Sequence, residues 1–72
     1  MPREGQYWRH FKGNLYYVIA VAKHTETDEE MVIYRDTNYD EKVWCRPVSM
    51  WDDLVVDKFG NPTCRFVYHS DK

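Results

Sequence analysis

The sequence predicts an all-β domain, with short antiparallel strands closed into a small barrel, and three observations carry that reading. Residues alternate with a period of two from Tyr7 to Phe11, so that Tyr7, Arg9 and Phe11 face one side and Trp8 and His10 the other. Leu15 to Ala22 is an eight-residue apolar run, rich in β-branched and aromatic types and bounded by a glycine turn, which favours a strand over a helix. Further runs of four to eight residues follow, joined by brief polar turns at the spacing of an all-β fold.

Taken in order, Met1 to Gly5 is polar and expected to fray. The first strand begins at Tyr7. Lys12-Gly13-Asn14 makes a tight turn, in which Gly13 and Asn14 tolerate the positive φ that a hairpin needs. In the second strand, Leu15 to Ala22, both alternating sets are apolar, as expected for a strand covered on both faces or bent across a barrel. His24 to Glu30 (HTETDEE) reads as a polar, acidic loop, and Met31 to Arg35 as the third strand. Asp36 to Lys42 is a second polar turn without glycine, its tip expected at Asn38 or Asp40. Val43 to Arg46 is a short fourth strand ended by Pro47, which lacks the N–H a ladder needs. Val48 to Val55 mixes three- and four-residue apolar spacing, consistent with one helical or 3₁₀ turn capped by Ser49 with Asp52 three residues on. A Gly-Asn-Pro turn leads to the closing strand, Thr63 to Tyr68. The expectation is therefore a five-stranded antiparallel SH3-like barrel with one short helical turn before the last strand. A small α+β fold is the alternative, and it requires a longer helix over Val48 to Asp57.

A chain of 72 residues forms one domain, near the size at which a single core leaves only a few kcal/mol of net stability. Aromatic residues make up 17% of it, and each ring can remove roughly 150 to 250 Å² from water. The net charge of -2 argues against a general nucleic-acid binder. The charge is uneven, however: residues 1–23 are net basic, residues 24–42 strongly acidic and residues 43–72 balanced. No basic-then-apolar leader is present, and the longest apolar run is far short of the ~20 residues a membrane span needs, so a cytoplasmic chain without membrane contact is expected. Cys45 and Cys64 fit neither a zinc spacing nor a disulfide framework, and are expected as reduced thiols in the core.

Four stretches in order, RHFKGN at Arg9–Asn14 with Tyr17, AKHTET at Ala22–Thr27, VIYR at Val32–Arg35 and VWCRPVSMW at Val43–Trp51, resemble a family of short bacterial proteins known as domain-of-unknown-function family sixteen fifty-three. The resemblance covers about residues 5–67. It implies an SH3-like or Tudor-like barrel and no established activity. The chain departs from the family pattern after Arg35, where Thr37-Asn38-Tyr39-Asp40 replaces a Leu-Tyr-Gly-Asp character, and at Cys45 and Trp51, where Val and Phe are more usual.

No constellation carries catalysis or a cofactor. His10, His24 and His69 sit on separate elements without metal-ligand spacing. A nucleophilic pair of Cys45 or Cys64 with His10 or His69 needs an activated thiolate in a cleft, which so small a barrel hardly offers. His24-Thr25-Glu26-Thr27 reads either as a turn closed by Thr hydroxyls or as a ligand loop at the barrel rim. Arg46 either pairs with Glu26 or Asp52, or presents a bidentate fork to a carboxylate or phosphate. Most of Trp8, Tyr17, Tyr34, Trp44 and Trp51 must be core, yet twelve rings exceed what the domain can hide, and exposed aromatic patches mark binding surfaces.

The resulting expectation is a non-catalytic binding module, monomeric or weakly dimeric, that recognises a peptide or protein partner. The residues expected at its ligand face are Tyr7, Trp8, His10, His24, Glu26, Tyr34, Trp44 and Arg46. The alternative is RNA or single-stranded nucleic-acid binding through Arg3, Arg9, Lys12 and Lys23, with Tyr7, Trp8 and Phe11 as stacking platforms.

Overall fold

The computed structural model describes residues 1–39 and 41–71. They form strands β1 (Gln6–His10), β2 (Leu15–Lys23), β3 (Glu30–Asp36) and β4 (Val43–Pro47), a 3₁₀ turn (Val48–Met50), and strands β5 (Leu54–Val56), β6 (Pro62–Cys64) and β7 (Phe66–Asp71). The fold is all-β and antiparallel. A five-stranded sheet runs β4-β3-β2-β1-β7, and β5-β6 is a separate two-stranded ribbon. No helix is long and apolar enough to cross a membrane.

Three features of the element order and its caps differ from the sequence expectation. The described residues form seven strands rather than five, because the expected closing strand is broken at Arg65 and Leu54–Val56 is a strand as well. The Arg65 N–H donates to the Asp53 carbonyl and its carbonyl accepts from the Phe11 N–H, so its backbone leaves the ladder, and β6 turns away to pair with Leu54–Val56. Secondly, β4 and β7 end the sheet on opposite sides, with no pairing between them among the described residues. The sheet curls without closing, and Trp51 fills its concave side. Thirdly, the 3₁₀ turn follows Pro47 with no side-chain cap, so Ser49 does not act as the expected cap.

The β1-β2 hairpin forms as its turn residues dictate. Gly13 takes φ +108°, a backbone that L side chains rarely adopt. Asn14 serves differently from the expectation: its Nδ2 donates to Asp36 Oδ2 at 2.9 Å, while the Asn38 N–H donates to Asp36 Oδ1 at 2.9 Å. The buried Asp36 carboxylate thus ties the β1-β2 turn to the turn after β3. Thr37 adds two bonds to the Leu15 carbonyl. Of the two expected tip residues of this turn, Asp40 lies outside the described residues. Nor does the N-terminus fray. Pro2 is fully buried, and the Gly5 N–H donates to the Val18 carbonyl.

Alternation sets the core. Trp8, Val18, Val32, Tyr34 and Phe66 share the concave face, and Trp51, with no exposed surface, packs among them. Its ring stacks on Phe66 at 3.9 Å and meets Trp8 and Tyr34 edge-on at 5.8 and 5.1 Å. β2 is not covered on both faces. Only Val18 is fully buried there, and a register shift between Val18 and Ala20 bends the strand while returning Val21 to the inside. Cys45 and Cys64 are exposed rather than core, because Trp44 and Arg46 take the inward positions of β4 and leave Cys45 to the outer face. The Cys45 departure from the family pattern is therefore a surface change, and only Trp51 alters core volume.

Candidate functional site

Beyond the packed core, the same concave face runs out towards the β4 edge. Cross-strand register brings the inward residues into line: Trp8 opposes Tyr16 and Tyr68, His10 opposes Phe66, and Tyr34 opposes Trp44, with Arg46 opposite Val32. His10, Tyr16, Tyr34, Trp44, Arg46 and Phe66 together line a concavity of about 200 Å³. Four of the eight expected residues, His10, Tyr34, Trp44 and Arg46, thus converge.

The aromatic walls hold one another edge-on. Tyr16 meets Tyr34 at 5.4 Å and Phe66 at 5.8 Å, and His10 meets Phe66 at 5.1 Å. Such contacts fix ring orientation at roughly 0.5–1.5 kcal/mol each. Trp44 differs in being half exposed, at 49%. The Arg46 guanidinium lies over the Phe66 ring at 5.8 Å, and its Nε is buried without a hydrogen-bond partner. Among the described residues Arg46 makes neither the pairing with Glu26 nor the one with Asp52 that the sequence allowed.

Burial, together with the Arg65, Lys12 and Arg46 charges, lowers the His10 pKa from its ordinary value, so the imidazole is neutral near pH 7. Its Nδ1 accepts the Lys12 N–H at 3.2 Å, which fixes the tautomer with the proton on Nε2. Burial, then the nearby Asp36 and Tyr34, raises the Tyr16 pKa, so this phenol stays protonated and able to donate. The concavity therefore offers one permanent cation, neutral donors and aromatic faces.

The other expected residues lie elsewhere. Trp8 is buried in the core, edge-on to Trp51, with its Nε1 donating to Gln6 Oε1. Tyr7 is on the opposite face of the sheet, where it packs on Tyr17 and the Arg35 guanidinium covers that ring at 5.2 Å. His24 and Glu26 sit at the far end of the β2-β3 ribbon, roughly 25 Å from Tyr16 at one strand rise per residue. There His24 Nδ1 accepts the Glu26 and Thr27 N–H groups, and Thr27 Oγ1 accepts the Glu29 N–H, so HTET forms a turn closed by the His24 ring as well as by the Thr27 hydroxyl expected for it. Of the basic residues, Arg9 bonds the Gly13 carbonyl and Lys23 lies 3.7 Å from Asp28.

Two residues of the concavity, Tyr16 and Phe66, were not singled out from the sequence. The signal was the parity of Tyr16 with Val18, hidden because both faces of β2 read as apolar. Among the described residues, no group of three or more His, Cys, Asp or Glu is placed to hold a metal ion.

The chain is similar to known proteins in sequence and in structure. The family model described as "Protein of unknown function (DUF1653)" matches residues 6–68. A crystal structure of a DUF1653 protein from Bordetella bronchiseptica is similar, with a TM-score of 0.78 and 29% identity, covering 96% of this chain and 90% of that one. Nothing among curated proteins matches.

Proposed function

The chain belongs to the DUF1653 family of proteins of unknown function, and from that premise we propose a non-catalytic binding module that recognises a peptide segment of a partner protein through the concavity of His10, Tyr16, Tyr34, Trp44, Arg46 and Phe66. One observation carries the reading: Arg46, which makes no ion pair among the described residues, stands beside a half-exposed tryptophan in an aromatic-walled hollow. Exposed tryptophan and arginine are also the side chains most enriched among residues that dominate binding energy. The strand order, with β7 beside β1 and the sheet curled over Trp51, supports reading the scaffold as an SH3-like half-open barrel. Aromatic-lined grooves on such scaffolds suit extended peptides.

The test is selection of randomised seven-residue peptides on the full chain and on a Trp44→Ser variant whose fold is checked by circular dichroism. The reading predicts an enriched peptide set on the parent chain that is lost on the variant. Equal enrichment on both, or none on the parent, contradicts it.

A further inference from the structure

We propose that the bound segment adds as an extended strand to the free edge of β4, seating an aspartate or glutamate side chain on Arg46 and an apolar side chain two residues away on Trp44. The inference rests on the reading of the concavity as the ligand face and adds the recognition mode and the ligand chemistry.

The edge is open. β4 ends the five-stranded sheet and, among the described residues, pairs only with β3, so one row of its backbone N–H and C=O groups has no sheet partner there. Val43, Trp44 and Cys45 are exposed, so no other element covers the strand. An unpaired edge is a template for an incoming strand, and proteins that do not use one generally blunt it with lysine, bulges or a covering loop. Here the strand is short and ends at Pro47, and its inward charge, Arg46, faces the hollow where an acidic side chain of an incoming strand would meet it.

Side-chain alternation then fixes what the added strand presents. Every second residue would fall on the concave face, opposite Trp44 or Arg46, with Cβ atoms ~4.5–5.5 Å apart across the pair. Whether the segment runs parallel or antiparallel, the two positions are separated by one outward residue.

Charge complementarity selects the carboxylate. Aromatic walls alone could take a cation, but Arg46 would repel it, and the nearby carboxylate of Asp36 is buried and committed to Asn14 and Asn38. A phosphate dianion is matched best by several cations, whereas Arg46 is the one permanent cation among the six lining residues. A planar monoanion fits a single guanidinium fork. The hollow of about 200 Å³ accommodates one side chain rather than a folded surface.

The experiment extends the peptide selection to Arg46→Gln and Arg46→Lys variants, then resynthesises the enriched peptides with Glu→Gln exchange and with single backbone N-methyl groups. Enriched peptides are expected to carry Asp or Glu two positions from an apolar residue. Glu→Gln exchange should weaken binding to the parent chain about tenfold or more and make about twofold difference or less on Arg46→Gln, with partial recovery on Arg46→Lys. N-methylation should abolish binding at alternate positions only. If peptides enrich and Trp44→Ser removes them, yet no acidic position emerges, or the Glu preference survives on Arg46→Gln, or N-methylation is harmless throughout, this inference fails and the concavity reading stands. Tighter binding of a single-stranded oligonucleotide to the same site overturns it as well. No enrichment at all overturns both.

Discussion

Trp44 and Trp51 are the same residue type seven positions apart, and the structure gives them opposite roles. Trp51 has no exposed surface and touches Trp8, Tyr34 and Phe66, so Trp51→Ala should cost about 3–5 kcal/mol. Against the few kcal/mol of net stability that a single core of this size leaves, that loss should leave the chain largely unfolded, as read from its urea transition. Trp44→Ser should shift the same transition by about 2–3 kcal/mol, less than Trp51→Ala, since half of that ring already meets water. His10 supplies a pH signature. Its folded pKa lies below the unfolded value, so the unfolded chain binds more protons across that interval, and stability is lost as pH falls below about 6.5. Urea midpoints should therefore drop between neutral and mildly acidic pH in the parent chain and drop less in His10→Gln. The sequence shows which side chains are aromatic but not which are covered. Composition left Trp44 open between core and ligand face and placed the cysteines in the core, whereas the inward parity of Trp44 and Arg46 on an edge strand leaves Trp44 half in water and Cys45 outside.

At the scale of elements, β1, β2, β3 and β4 were legible because alternation and turn chemistry agree there. Gly13 illustrates why. A Cβ at this position would meet nothing within 4 Å, but the backbone sits at φ +108°, so Gly13→Ala should cost roughly 1–2 kcal/mol from backbone strain alone, measurable as a lowered melting temperature. β5 was not legible. Leu54–Val56 follows a helical turn and continues its apolar spacing, and only the pairing with Pro62–Cys64 makes it a strand. That ribbon leaves Leu54, Val56 and Phe59 exposed, so little burial holds it. Its amides should exchange with solvent well before those of β2 and β3 in a hydrogen-exchange experiment, and matched rates across both sheets would contradict this. The HTET turn was legible as a turn, and its hydrogen bonds account for His24 without a ligand.

For the whole molecule, 72 residues support one aromatic core, and the rings it does not cover scatter over both faces, the turn after β3 and the β5-β6 ribbon, with Trp44 at the β4 edge. A site with one arginine should respond weakly to salt. Peptide affinity should fall less than tenfold between about 50 and about 200 mM salt, where a protein neutralising six to ten phosphates loses about 10³–10⁵. The sheet order that creates this face depends on contacts distant in sequence, which is why Tyr16 and Phe66 joined the site only in three dimensions. The most direct measurement is a backbone-amide and tryptophan-indole NMR shift map of the full chain titrated with an enriched acidic peptide. The account predicts saturable shifts at Val43–Pro47, His10 and the Trp44 indole, with the Trp51 indole little changed. Shifts confined to Tyr7, Tyr17 and Arg35 on the opposite face, or to the β5-β6 ribbon, would contradict it.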